Sequence, residues 1–207
     1  KFEKNFDKSK LSSLLTSVCP HIAHYPIRVQ GTFCGSLAHA DPASEWCCTF
    51  LALNGTVKAE SKRSGARNIS ADDFFKTMFV TSLEYDELLV GVELPVLDNT
   101  WRIGFEEFSR RSGDFALAIA VVCIQLEGNE ITKSRVAVGS VASKPFLCKK
   151  ANEFLLGKIP EEKIIREASE IASEEIEVIE DINATNDYKR ELVKVMVFRA
   201  LKKAFAL

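Results

Sequence analysis

Three stretches of this sequence gather side chains able to do chemistry. Cys19-Pro20-His21-Ile22-Ala23-His24 is a C-x-H-x-x-H cluster of soft ligands, with His21 and His24 spaced to share a helix face. No second cluster completes a tetrahedral set unless His39 or Asp41 folds beside it, so ordinary packing or surface histidines are the plainer reading. Ser36 with His39, or Cys34 with His39, could be drawn as a nucleophile and its base. No G-x-S-x-G elbow surrounds them, and pairs this close in sequence are usually accidental. The third stretch, residues 28–45, reads RVQGTFCGSLAHADPASE. Glycines flanking a hydroxyl residue let backbone N–H groups approach a ligand closely, and successive N–H groups form an anion-binding concavity. Thr32 and Ser36 add donors, and Glu45 adds an acceptor for a ligand N–H or hydroxyl. That composition suits a phosphate-bearing cofactor. It lacks G-x-G-x-x-G and G-K-[ST], so by spacing alone an ordinary glycine turn stays open.

These residues need elements to hold them. Leu11, Leu14, Leu15 and Val18 have helical spacing, and Pro20 ends or restarts that helix. Residues 45–53 are apolar and helix-compatible up to Asn54-Gly55, a stop or turn signal. Residues 56–61 alternate with period two, Ser64-Gly65 turns the chain, and Arg67-Asn68-Ile69 is the return. Residues 88–94 form another strand, closed by Pro95. The Asp98-Asn99 loop behind it marks a boundary between units 1–97 and 98–207. Beyond it, 101–108, 116–126 and 134–141 read as strands, with Gly128-Asn129 turning between the last two. Lys144-Pro145 breaks the run, and the remainder is helical. Residues 161–181 put Ile164, Ala168, Ile171, Ala172 and Ile176 on one face; residues 187–207 carry Leu192, Val195, Val197, Leu201 and Phe205. Mixed elements, then strands, then helices give an α+β fold in two units. The charged opening, KFEKNFDKSK, reads as loosely packed.

Composition narrows the class. With 46% hydrophobic and 27% charged residues in 207, the chain is globular and long enough for a real core. A net charge of −2 gives no basic field for nucleic acid or a membrane surface. The longest apolar stretch, 115–126, is interrupted by Gln125 and is too short to span a bilayer. Six cysteines without a CxxC pair read as reduced, buried thiols, and a cytoplasmic location is expected. Sequons at Asn54, Asn68 and Asn183 would matter only in a secreted protein. Residues 160–181 hold nine acids and two bases, whereas 187–207 hold two acids and six bases. Either the two helices attract one another as an antiparallel pair, or they form a docking surface for a partner.

Residues 28–45 also resemble the "IRN-x-GT-[IVL]-GG-[SN]-L-A-H-A-D-P-A-A-E" signature of FAD-binding medium subunits of molybdenum hydroxylases, the carbon monoxide dehydrogenase, aromatic-CoA reductase and xanthine dehydrogenase group. Ala71-Asp72-Asp73-Phe74-Phe75, then Asp86-Glu87-Leu88-Leu89 and Val92-Glu93-Leu94-Pro95, are similar to that family's "DFF…DELL…V-x-[LIV]-P". Residues 105–116, FEEFSRRSGDFA, are similar to "[YF]-E-E-F-A-R-R-x-G-D-[FY]-A". Asp187-Tyr188-Lys189-Arg190-Glu191-Leu192 and Arg199-Ala200-Leu201 resemble "Y-R-R-x-L…R-A-L". The blocks occur in family order from about residue 12 to residue 204, nearly the whole chain.

The resemblance implies the second half of a p-cresol-methylhydroxylase-type FAD domain, then a carbon monoxide dehydrogenase flavoprotein C-terminal-like α/β sandwich. It implies a first FAD subdomain with its own "A-G-G" loop before Lys1, so the chain reads as a truncated or proteolysed piece. Thr32, Phe33, Cys34, Gly35 and Ser36 would contact FAD, Glu45 would lie near the flavin and ribityl chain, and Leu89 would pack on the flavin. No catalytic residue and no metal ligand is implied. Partners would be a molybdopterin-containing large subunit and a [2Fe-2S] small subunit. Electrons would pass from the clusters through FAD to an external acceptor; the alternative is a non-redox assembly or interaction module that keeps the fold without flavin. The family's Gly-Gly pair is Cys34-Gly35 here. A Cβ costs about 1–2 kcal/mol where the backbone is left-handed, so Cys34→Gly is expected to be neutral or to stabilise by about 0–1 kcal/mol. Residues 31–37 are expected to form an irregular loop leading into a helix.

Overall fold

The computed structural model describes residues 2–3, 7 and 9–206, so half of the charged opening segment and Leu207 lie outside the described residues. Helix α1 (Lys10–Val18) is capped by Ser9, whose hydroxyl accepts from the Ser12 N–H at 3.1 Å, and it buries Leu14, Leu15 and Val18. A single 3-10 turn, Cys19–His21, carries Pro20 and ends that helix as the sequence predicts. Three short helices follow: α2 (Tyr25–Gln30), α3 (Phe33–His39) and α4 (Glu45–Ala52). Asn54 takes a left-handed φ of 54°, which turns α4 into β1 (Thr56–Ser61). Next come β2 (Gly65–Ser70), α5 (Ala71–Phe74), β3 (Phe75–Thr77), β4 (Val80–Thr81) and β5 (Leu88–Glu93). Strand β1 is the middle of an antiparallel sheet, β2-β1-β5, with Thr56 opposite both Ser70 and Glu93.

The second half builds an antiparallel sheet of β6 (Trp101–Ser109), β7 (Ala116–Glu127), β8 (Glu130–Gly139) and β9 (Phe146–Leu147), in that order. Helices α6 (Lys149–Leu155), α7 (Glu162–Glu175) and α8 (Asn186–Phe205) complete the chain. Strand β7 explains the architecture. Its Ile119, Val121 and Cys123 enter one core with Leu14, Phe50 and Phe105, while Ala120, Val122 and Ile124 enter another with Ile165, Met196 and Leu201. With both faces covered, it reads as an unbroken apolar run instead of an alternating one. Helices α1 and α4 pack on one face of the sheet, and α6 and α8 pack on the other. The sheet is the middle layer of the molecule.

Three expected elements differ. Strand β8 begins at Glu130, four residues early, because Glu127 pairs with Glu130 and the hairpin continues to its two-residue turn, with Gly128 at φ 60°. Helix α7 stops at Glu175. Ile176 and Val178 are buried from an extended segment, whose Ile179 N–H donates to the Val141 carbonyl at 2.8 Å. On α8 the buried stripe is Leu192, Val193, Met196, Val197, Ala200, Leu201 and Ala204, while Val195 is exposed and Phe205 half-buried.

The oppositely charged helices face each other. Lys194 meets Glu170 at 3.1 Å, Lys202 meets Glu162 at 3.7 Å, and the Arg166 guanidinium lies 4.7 Å from the Phe198 ring centre. All six thiols are free; five are buried, and burial pushes Cys47 and Cys123 up to about 12. Among the described residues no helix is long and apolar enough to cross a membrane.

Candidate functional site

Helix α2 ends because Gly31 (φ −67°, ψ 151°) and Thr32 (φ −126°, ψ 150°) are extended. Thr32 then caps α3, its Oγ1 accepting from the Gly35 N–H at 3.0 Å. A Cβ on residue 35 would lie 2.7 Å from Thr32 Oγ1, so a larger residue there must push that hydroxyl, and with it the cap, aside. The N–H groups of Phe33 and Cys34, in the first turn, have no intrahelical acceptor. Thr32 and Gly35 are exposed, while Phe33, Cys34 and Ser36 are half-buried.

The expected irregular loop is thus only two residues long, since the threonine cap starts α3 at Phe33. Cys34 has helical backbone and is not among the left-handed residues. Its Cβ is unstrained, and the expected gain for Cys34→Gly reverses: glycine inside a helix costs up to about 1 kcal/mol.

Two cavities meet at Ser36. The larger, about 560 Å³, is lined by Tyr25, Arg28, Gly31, Thr32, Phe33 and Trp46 among others. Phe33 and Trp46 pack at 5.0 Å between ring centres and form its aromatic wall. Arg28 is fixed here: its guanidinium donates to the carbonyls of Ile22 (2.9 Å) and Ala23 (2.7 Å) and pairs with Glu3. The second cavity, about 330 Å³, includes Ser36, His39, Asp41, Glu45 and Phe115 in its lining. Its far wall is the 113–115 loop, where Gly113 (φ 87°) leaves room for the His24 ring that a Cβ would strike. Leu89, on the strand β5 that packs on α3, is half-buried against the first core cluster and lines neither of these cavities.

Glu45 is the first residue of α4 and is only 8% exposed. Burial raises its carboxyl to about 7, and the nearby charge of Glu107 pushes the same way; its own backbone N–H and His21 oppose this. His21 sits in the 3-10 turn with its ring edge against Phe105, 4.9 Å between centres. The Glu107 carboxylate, 3.7 Å from His21 Nδ1, raises the imidazole above its ordinary value despite partial burial. That distance is an ion-pair contact beyond hydrogen-bond length. Glu107 Oε2 is accordingly buried without a hydrogen-bond partner.

The other candidate chemistries are not assembled. Cys19 is buried, and among the described residues no three metal-ligating side chains converge. The Ser36 hydroxyl donates to the Thr32 carbonyl at 3.3 Å, and His39 packs 4.9 Å from the Phe79 ring centre. Burial raises the Cys34 thiol, the opposite of what a nucleophilic thiolate needs. Spacing does not join His21 to Glu45 or Glu107; the available signal is the carboxylate pair Glu106-Glu107 within β6.

Two family models divide the chain. Residues 4–97 match "FAD binding domain in molybdopterin dehydrogenase", and residues 103–204 match "CO dehydrogenase flavoprotein C-terminal domain". The nicotine 6-hydroxylase medium subunit of Paenarthrobacter nicotinovorans is 39% identical over 90% of this chain and 65% of its own length. The glyceraldehyde dehydrogenase medium chain of Sulfolobus acidocaldarius is 35% identical over 87% of this chain and 64% of its own. The chain therefore spans slightly less than two-thirds of the length of these relatives. Among solved structures, a carbon monoxide dehydrogenase from Hydrogenophaga pseudoflava superposes with a TM-score of 0.93 at 29% identity, covering 99% of this chain and 71% of that one. Quinoline 2-oxidoreductase from Pseudomonas putida 86 gives 0.87 at 34% identity, over 98% and 71%.

Proposed function

The chain belongs to the family of FAD-binding medium subunits of molybdenum hydroxylases, and from that premise we propose that it is the electron-transfer flavoprotein component of such an enzyme. The observation that carries this reading is the Thr32–Gly35 cap at the start of α3, where Thr32 and Phe33 line the larger cavity and Ser36 lines both. The proposed division lies at residues 97 and 98, each half taking one part of the task.

These residues fit FAD. Thr32, Phe33, Cys34, Gly35 and Ser36 would hold its phosphates through the free N–H groups and hydroxyls of the α3 start. Gly35 keeps that surface bare, because no Cβ projects there. Glu45 and Leu89 would meet the flavin end, and the Phe33–Trp46 wall would exclude water. When bound, FAD supplies a two-electron carrier that can pass electrons onward to an external acceptor. The chain's own residues bind and orient; none of them is assigned a bond-making step.

The partners on this reading are a molybdopterin-containing large subunit and a [2Fe-2S] small subunit, supported by relatives whose names describe medium chains and subunits of complexes. Free, buried thiols fit a reducing, cytoplasmic setting. The test is to purify the subunit in its full length with its partners. Stoichiometric flavin absorbance that bleaches when reducing substrate is added supports the reading. A stable, colourless complex favours an assembly module instead.

A further inference from the structure

The cluster behind the second cavity has an imbalance of charge. Two buried carboxylates, Glu45 and Glu107, lie within electrostatic reach of one imidazole, His21, and only Glu107 pairs with it. Glu107 has the stronger claim: its side chain is 2% exposed, it lies 3.7 Å from His21 Nδ1, and its Oε2 has no hydrogen bond to fall back on. Glu45 forms no ion pair among the described residues. Asp41, just before α4, adds a further negative charge near it. Lys203 of α8, whose charge acts on His21, is occupied by the Phe105 carbonyl and Glu106, at 3.2 Å each. His39 of α3 and Asp114 of the 113–115 loop line the same cavity.

We propose that Glu45 stands in its cavity as a protonated carboxyl, kept so first by its own burial and then by the nearby charge of Glu107, and that this wall recognises a hydrogen-bond acceptor on the ligand. The physics is that of like charges in one poorly solvated site, where the carboxylate without a cation keeps its proton. A protonated carboxyl donates O–H to a carbonyl oxygen or an unprotonated ring nitrogen. This reverses the acceptor role that the sequence suggested for Glu45. The raised proton affinity of Glu45 is consistent with it. The identity of the ligand rests on the flavin reading; the protonation of Glu45 does not.

The two parts separate experimentally. Carboxyl-carbon NMR of the 207-residue polypeptide, with the Glu45 signal assigned by its loss in Glu45→Gln, should show titration near neutrality. Glu107→Gln should lower that midpoint, and His21→Gln, a second route should the first variant not fold, should raise it. A midpoint at or below the ordinary glutamate range overturns the proposal. FAD affinity, read by flavin fluorescence from about pH 6 to 8.5, should weaken about tenfold or more, and should stay flat in Glu45→Gln. Affinity that strengthens with pH would assign Glu45 the carboxylate role and overturn the acceptor-recognition claim. Near-neutral titration with no FAD binding at any pH would support the protonated carboxyl and sink the flavin reading alone.

Discussion

The two faces of the central sheet are served by opposite kinds of structure. On one, α8 lies so close to β6 that a Cβ on Gly104 would run into the Ala200 backbone carbonyl, and eight of the helix's residues are buried. On the other, beyond α4, lies the α2–α3 segment. Helix α2 buries none of its six residues and leaves Tyr25, Ile27 and Val29 about 60% exposed. The first region is held by packing that no local change can relieve. The second is anchored more sparsely, by Leu37 and Phe33 of α3 against the core and by two polar contacts, the Thr32 cap and the Arg28 clamp. A binding edge is expected at the loosely packed end of such a contrast, because that is where backbone groups stay free.

The largest effect should come from the packed side. Gly104→Ala drives a methyl group into backbone that cannot swing aside, and it should cost about 3 kcal/mol or more, or prevent folding. Urea unfolding measures it; a loss below about 1 kcal/mol would mean that α8 is free to shift.

Glu45 tests the junction between the regions. Its carboxyl rises from 4.5 to about 7 on folding, so ionising it costs up to about 3 kcal/mol of stability. The penalty is absent below 4.5 and complete above about 7, so stability should fall as pH rises through that window. His21, raised by Glu107, acts in the same direction, its contribution being lost as pH rises through its folded value. Glu45→Gln should flatten most of this dependence and stabilise the chain at pH 8 by roughly 2–3 kcal/mol. Thermal unfolding at several pH values would show it, and an unchanged slope would contradict it.

On the open side the effects shrink. Cys34→Gly should destabilise by up to about 1 kcal/mol, because the residue is helical; a gain in denaturation midpoint would restore the left-handed reading. Lys194→Ala removes an exposed pair with Glu170, and it should cost no more than about 0.5 kcal/mol, less in high salt. A loss near 2 kcal/mol would mean that charge, and not the apolar stripe, holds α7 on α8.

Much of this was legible in the sequence, where period and punctuation agreed. Pro20, Asn54-Gly55 and Gly128-Asn129 each break the chain where their backbone preferences say they should. Legibility failed where tertiary contacts overrode local pattern. The stretch after Glu175 keeps apolar residues at positions a helix could use, yet Ile176 and Val178 bury from an extended segment docked beside Val141. The site divided in the same way. The α2–α3 glycines were visible as residues 28–45, but the close approach of Gly35 to the capping hydroxyl depends on the rotamer of Thr32. The His21–Glu107–Glu45 cluster joins residues from three elements far apart in sequence, and no local spacing announces it.

The central claim is that the start of α3 holds the cofactor, and titrating FAD into the 207-residue polypeptide beside its Gly35→Ala variant tests it most directly. These residues supply one glycine loop for a pyrophosphate that the resemblance implies is gripped from two sides. The wild-type Kd should therefore be no tighter than ~0.1 mM. In the variant the added methyl would press on Thr32 Oγ1, displace the cap and cover the free N–H groups, weakening binding about tenfold further, close to the value of one charge-assisted hydrogen bond. Equal affinity in both polypeptides would place FAD elsewhere on the molecule and contradict the claim.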